Sequence, residues 1–225
     1  MNRQGITQVL SRLSYIATLG MMTRIASSFE KTRKISGPRS LQPSQFGMVC
    51  PCDTPEGESC GLVKNFANLS QVTLDLDDTL VRHAAHNCGV EELDTITPSD
   101  FRNCFSVFLN GVLIGIHRYP YCLCRAMRAL RRAGRLHPHV SIATQERQRS
   151  VQISSDGGRI VRLLIVVYNG TSALSHTHLE RLANKHCTLN DFLAEGVVEY
   201  VDVNECNDCL IAVRLDDVQA HTTHL

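Results

Sequence analysis

Between Gly47 and Lys64 the chain reads GMVCPCDTPEGESCGLVK, a stretch that no regular element can absorb. Two prolines and three glycines interrupt it, and few of its residues favour a helix, so it must run as a succession of turns. Its small apolar residues mark those turns as packed rather than loose. Regular structure has to lie on either side of this block.

Before it, Ile6, Val9, Leu10, Leu13 and Ile16 recur at three- and four-residue spacings, which predicts an amphipathic helix within residues 5–25, weakened at Gly20. The stretch FEKTRKISGPR, Phe29 to Arg39, has no apolar periodicity and ends on a Gly-Pro turn signal, so it reads as an exposed basic loop. After the block, residues 71–100 hold seven acidic residues and one Arg, and Thr97-Pro98-Ser99-Asp100 reads as a loop at a first subdomain boundary.

Phe105–Leu109 and Val112–Ile116 are apolar runs joined by Asn110-Gly111, the strongest short hairpin signal. From Tyr121 to Arg135, Leu123, Met127 and Leu130 fall on one helix side, and Arg125, Arg128, Arg131, Arg132 and Arg135 on the other. Val140–Ala143, Val151–Ser154 and Arg159–Tyr168 are β-branched strands around an Asp156-Gly157-Gly158 turn. Leu179–Cys187 and Leu189–Glu195 read as short helices. The alternation of Val197–Val203 predicts a half-buried strand. The fold class is α+β, without internal repeats.

Composition sets the outer limits. With 225 residues, 43% of them hydrophobic, the chain is long enough for real cores, which excludes whole-chain disorder. No window approaches the ~18 apolar residues of a membrane span, and the start lacks an export signal, so a soluble protein with ten reduced cysteines is expected. The net charge of +1 hides segregation: residues 1–40 carry seven Lys/Arg and one Glu, whereas 190–217 carry eight Asp/Glu and one Arg.

Three features invite a functional reading. Six arginines without an acidic residue between Arg118 and Arg135 would suit phosphates, but a solvated face, or pairing with the acidic segments at 75–100 or 190–217, is favoured. The cations Lys31, Arg33, Lys34 and Arg39 sit beside glycine and proline, where a backbone can approach a polyanion. Among the cysteines only Cys206 and Cys209 have zinc-pair spacing, and His186-Cys187 makes an awkward second half, so no metal site is assigned. His221-Thr-Thr-His224 reads as an ordinary polar end.

Thr54-Pro55-Glu56-Gly57 followed by Cys60-Gly61-Leu62-Val63-Lys64-Asn65 resembles a signature of the second-largest subunit of multisubunit DNA-directed RNA polymerases. GITQVLSRLSYIATLGMMTRI, GPRSLQPSQFGMVCP, VFLNGVLIG, RRAGRL, ISSDGGRIVR, EGVVEYVDVNE and the closing THL agree in order, so the resemblance covers essentially the whole chain. GPRSLQPSQ, the Asp before TPEG, and SSDGGR are most similar to the polymerase III type.

The resemblance implies a fork region of helices and packed turns at 1–70, then two small mixed α/β external domains at 71–150 and 151–225. It implies the look of a fragment of a nuclear nucleotidyltransferase, inactive alone, whose partners are the largest subunit and the rest of the complex, DNA template, RNA–DNA hybrid and NTP, with no membrane. Mg2+ would be bound mainly by another subunit, with no metal and no catalytic residue in this chain. Lys31, Arg33, Lys34 and Arg39 would contact nucleic acid, and Arg39 and Glu56 would support the active centre. Arg39 would serve the triphosphate, or else pair with a carboxylate such as Glu56. Glu58 stands where relatives often carry an uncharged residue. The alternative is a stand-alone protein-binding or nucleic-acid-binding module derived from this fold.

Overall fold

The structure is a computed structural model that describes residues 9–97 and 102–225. Its chain forms two compact units, one ending at Ser70 and the other spanning Gln71–Leu225. The class is α+β, as the sequence predicts.

The first unit is sparse in regular structure. Helix α1 covers Tyr15–Met22, much less than the predicted span, because Ser14 stops it: extended at φ −154°, Ser14 accepts the Ala17 N–H with its side chain. The apolar stripe is not buried within this unit, Leu13 being 93% and Ile16 79% exposed, and Ile6 lies outside the described residues. Strands β1 (Arg24–Ala26) and β2 (Val63–Asn65) pair antiparallel, with Arg24 opposite Asn65. The turn block between them is held by one-turn 3-10 helices at Gly37–Arg39, Pro43–Gln45 and Gly57–Ser59, over the buried side chains of Met48 and Leu62.

Strand β3 (Ser70–Val72) begins on the last residue of the first unit, and helix α2 (Thr79–Asn87) follows in the second. Strands β4 (Phe105–Leu109) and β5 (Val112–His117) form the expected hairpin, Asn110 and Gly111 both adopting positive φ as its two-residue turn demands. Helix α3 (Pro120–Arg132) follows, with Pro120 at its first turn and Gly134 at φ +69° beyond its end. Strands β6 (Ser141–Gln145) and β7 (Ser150–Ser154) complete a sheet of order β5-β4-β7-β6, in which β7 runs parallel to β4. Val107, Leu123, Met127, Ile142, Val151 and Ile153 build the core between this sheet and α3.

The predicted strand at Arg159–Tyr168 divides into β8 (Ile160–Ile165) and β9 (Val167–Tyr168), because the chain changes partners at Val166, which bridges to His224. Strand β10 (Thr171–Ser172) pairs with β9. Helices α4 (His176–Ala183) and α5 (Leu189–Ala194) follow, each opened by a capping box, at Ser175 and at Thr188. Strand β11 (Val198–Asp202) lies against β8, and α6 (Val203–Cys206) continues from it. All five β11 residues are buried, not alternate ones, because Glu199 turns into a charged cluster rather than into water. The predicted loop at Thr97-Pro98-Ser99-Asp100 lies outside the described residues apart from Thr97.

Candidate nucleic-acid interface

The basic loop is exposed at Lys31, Arg33 and Lys34. Arg33 Nε sits 3.3 Å from Glu30 Oε2. Both side chains are largely exposed, so this pair holds Arg33 only weakly and leaves it available to another anion.

Arg39 is half-buried, and its donors go to main-chain oxygens. Nη1 donates to the carbonyls of Glu58 (2.7 Å) and Cys60 (2.9 Å), and Nη2 to those of Lys31 (2.8 Å) and Arg33 (3.1 Å). Gly61 makes this approach feasible. Its φ is +73°, and a β-carbon there would stand 2.4 Å from the Arg39 carbonyl oxygen. Thr54 closes the same turns, its hydroxyl donating to the Val63 carbonyl (2.9 Å) and accepting from Gly61 N–H (2.8 Å).

Glu56 is exposed and stands at the N-terminal end of the 3-10 turn Gly57–Ser59, its side chain making no capping bond. It lines a cleft of about 430 Å³ together with Arg24, Asp53, Thr54, Ser59 and Asn65. Arg39 is not among the residues that line that cleft; its contacts bring it to the carbonyls of Glu58 and Cys60, not to the Glu56 carboxylate.

The arginine-rich helix has a different fate, and the assignment of all its arginines to an outer face is corrected. Arg131 is 3% exposed; it donates to both Glu205 oxygens (2.7 and 2.8 Å) and to Glu199 Oε2 (2.8 Å). Arg132 clasps Glu199, and Arg128 reaches Glu205 and Asp208. The favoured pairing with the acidic stretch at 190–217 is therefore what the fold makes. Burial alone would lower the Arg131 pKa, but the two glutamates outweigh it and hold the guanidinium charged. Burial raises the Glu199 pKa, yet Arg131, His224 and Arg132 reverse that and hold its carboxylate well below the usual range.

Sequence reasoning missed two members of this cluster. Leu123, Met127 and Arg131 are spaced four apart, so the periodicity already placed Arg131 on the buried stripe; its residue type argued the other way. His224, taken for a polar end, is 2% exposed and its Nε2 donates to Glu199 (2.6 Å). Nothing in the sequence signals that bond.

Among the described residues no three or more His, Cys, Asp or Glu side chains converge where a metal could sit. Cys187 is buried in the apolar cluster of Phe192, Val197 and Val198. Burial, with Glu205 nearby, pushes the Cys209 thiol up to about 12, so it stays protonated. Among these residues no helix is long and apolar enough to cross a membrane.

Comparison with known proteins places this geometry. The patterns described as RNA polymerase Rpb2 domains 3, 4 and 5 match residues 8–72, 107–168 and 189–225, in chain order. The Schizosaccharomyces pombe protein DNA-directed RNA polymerase III subunit RPC2 is 50% identical over 227 residues, covering 100% of this chain. Its Drosophila melanogaster counterpart of the same name is 48% identical, again over 100% of this chain. The chain belongs to the family of second-largest subunits of multisubunit RNA polymerases. Within this family, the Encephalitozoon cuniculi DNA-directed RNA polymerase II subunit RPB2 is 33% identical over 94% of the chain, well below the two polymerase III proteins. The chain spans about a fifth of the length of these relatives, 20% for the first two and 19% for the third. The basic loop and TPEG turns described above fall inside the Rpb2 domain 3 match.

Proposed function

We propose that this chain serves as part of the second-largest subunit of a polymerase III-type DNA-directed RNA polymerase, a nucleotidyltransferase of the nucleus, and that it helps position template and nucleotide. Its partners are then the largest subunit and the rest of the complex, DNA, the RNA–DNA hybrid and NTP. The observation that carries this reading is the level of identity, 48–50% over the whole chain, to proteins named as polymerase III subunits.

The chain's own contribution is a positioning surface. Lys31, Arg33 and Lys34 contact phosphates without reading bases, as an enzyme that must accept any template requires. Arg39 and Glu56 support that surface from the neighbouring turns. Mg2+, which supplies charge stabilisation for nucleotidyl transfer, is held mainly by another subunit. The order of the three family matches supports a fork region to about residue 70 and two external domains after it. The pairing of β4 with β7 argues for a second boundary after Ser154 rather than at 150.

Affinity isolation of the tagged chain from cells tests the assignment. Recovery with the largest polymerase subunit is expected, and recovery as a free monomer would overturn it.

A further inference from the structure

Arg39 occupies an unusual position for a cation within a basic loop. A guanidinium carries five N–H donors in a fixed planar fork. Four are spent on the carbonyls of Glu58, Cys60, Lys31 and Arg33, at 2.7 to 3.1 Å, and only Nε–H is left over. Two of those carbonyls belong to the basic loop and two to the TPEG turns, segments whose nearest members, Arg33 and Glu58, are 25 positions apart in sequence.

The acceptors are also neutral. A carboxylate partner would cancel the charge of Arg39, whereas carbonyl dipoles hold it in place and leave the positive field of the loop standing. The approach is built into the backbone as well, since Gly61 lies where a β-carbon would collide with the Arg39 carbonyl. Among the described residues Arg33 is the loop cation that makes an ion pair, and that pair is exposed and weak. Nothing but Arg39 thus ties the stretch Lys31–Lys34 to the turns through side-chain bonds among the described residues.

We infer that Arg39 is a positioning residue: it clamps the basic loop onto the TPEG turns and so presents Lys31, Arg33 and Lys34 as a preorganised set to a phosphate backbone. The ligand in this inference rests on the function proposed above; the clamp does not. It also gives Arg39 a task other than direct contact with the triphosphate, because its fork is already occupied.

Lysine cannot replace such a clamp. It keeps the charge but has a single ammonium, which cannot span four carbonyls on two segments. The test uses the full 225-residue chain. Arg39→Lys, Arg39→Ala, Gly61→Ala, the triple Lys31→Ala/Arg33→Ala/Lys34→Ala and its combination with Arg39→Lys are compared. The first readout is tryptic cleavage after Lys31, Arg33 and Lys34, with hydrogen exchange across β1 and β2 as a control that the unit still folds. Arg39→Lys should raise cleavage about tenfold, roughly the factor for releasing one ordered residue, as should Arg39→Ala and Gly61→Ala, with β1 and β2 unchanged. Unchanged cleavage in Arg39→Lys would overturn the clamp.

The second readout is affinity for a mixed-sequence single-stranded DNA over a range of salt. Arg39→Lys should weaken binding in wild type but add nothing to the triple variant, because a clamp matters only through the cations it orders. If Arg39 were itself a phosphate ligand, Arg39→Lys would retain affinity, and losses from Arg39→Ala and the triple variant would add. Should the triple variant bind DNA as well as wild type, the nucleic-acid reading fails, while the cleavage result still decides the clamp.

Discussion

Glu199 shows how a single residue can be placed by its partners rather than by its type. It lies on a buried strand, touches Arg131 and Arg132, and accepts a hydrogen bond from His224 Nε2. A lone buried carboxylate would be protonated, but here two guanidiniums and the imidazole donor keep it ionised, with its pKa well below the ordinary range. The consequence for pH follows from that direction. A depressed carboxylate contributes stability that is fully present above its unfolded value, about 4.3, and is lost as pH falls below it towards the depressed folded value. Glu199→Gln should therefore cost about 3–5 kcal/mol near neutrality, since Arg131 and Arg132 lose a buried counter-charge. The variant should also flatten the acid limb of the unfolding curve of the second unit, measured by urea titration between neutral and acidic pH. An acid limb as steep as wild type would remove Glu199 as its source.

At the scale of elements, the readable parts were those that need no distant partner. The β4–β5 hairpin is specified by Asn110-Gly111, and the structure gives both residues the positive φ that a two-residue turn needs. The turn block from Gly47 to Lys64 is legible for the same reason: prolines and glycines act locally. Helix α1 and strand β11 were less so. The stripe of α1 has the right period but nothing among the described residues of its unit to bury it, and β11 alternates in residue type while tertiary charge pairs bury both faces. In the candidate interface, the cations and the TPEG turns were legible, but the carbonyl clamp of Arg39 joins two segments that no local pattern connects.

Two glycines of the hairpin separate local from tertiary demands. At Gly111, φ is +82° and no atom lies within 4 Å of an added β-carbon, so Gly111→Ala should cost only backbone strain, about 1 kcal/mol. At Gly115 a β-carbon would stand 2.2 Å from the Glu91 carbonyl oxygen and displace the paired bonds between Glu91 and Ile116. Gly115→Ala should destabilise by about 1–3 kcal/mol. Denaturant midpoints of the two variants check this, and equal losses would mean that the Glu91 segment yields without cost.

At the scale of the molecule, the two units differ in what holds them. The second has a four-stranded sheet under a thirteen-residue helix, an apolar core, and a buried charged cluster. The first has two three-residue strands, an eight-residue helix with no buried residue, and turns whose stability comes from side-chain staples such as Thr54 and Arg39. Its apolar residues Val9, Leu13, Ile16 and Met22 are exposed along one short segment, which under the function proposed above another subunit covers. Hydrogen exchange reports the free energy of opening each region, and regions with few buried contacts open most readily. In the isolated chain, amides of β1 and β2 should therefore exchange on the order of a hundredfold faster than those of β4 and β7, equivalent to roughly 3 kcal/mol. In a purified polymerase that contains the chain, the proposed partners should close that gap by slowing the first unit and leaving the sheet of the second nearly unchanged. Equal protection of both units in the free chain would show that the turns and staples suffice by themselves. A gap that persists unchanged in the polymerase would show that the exposed stripe is not a covered surface.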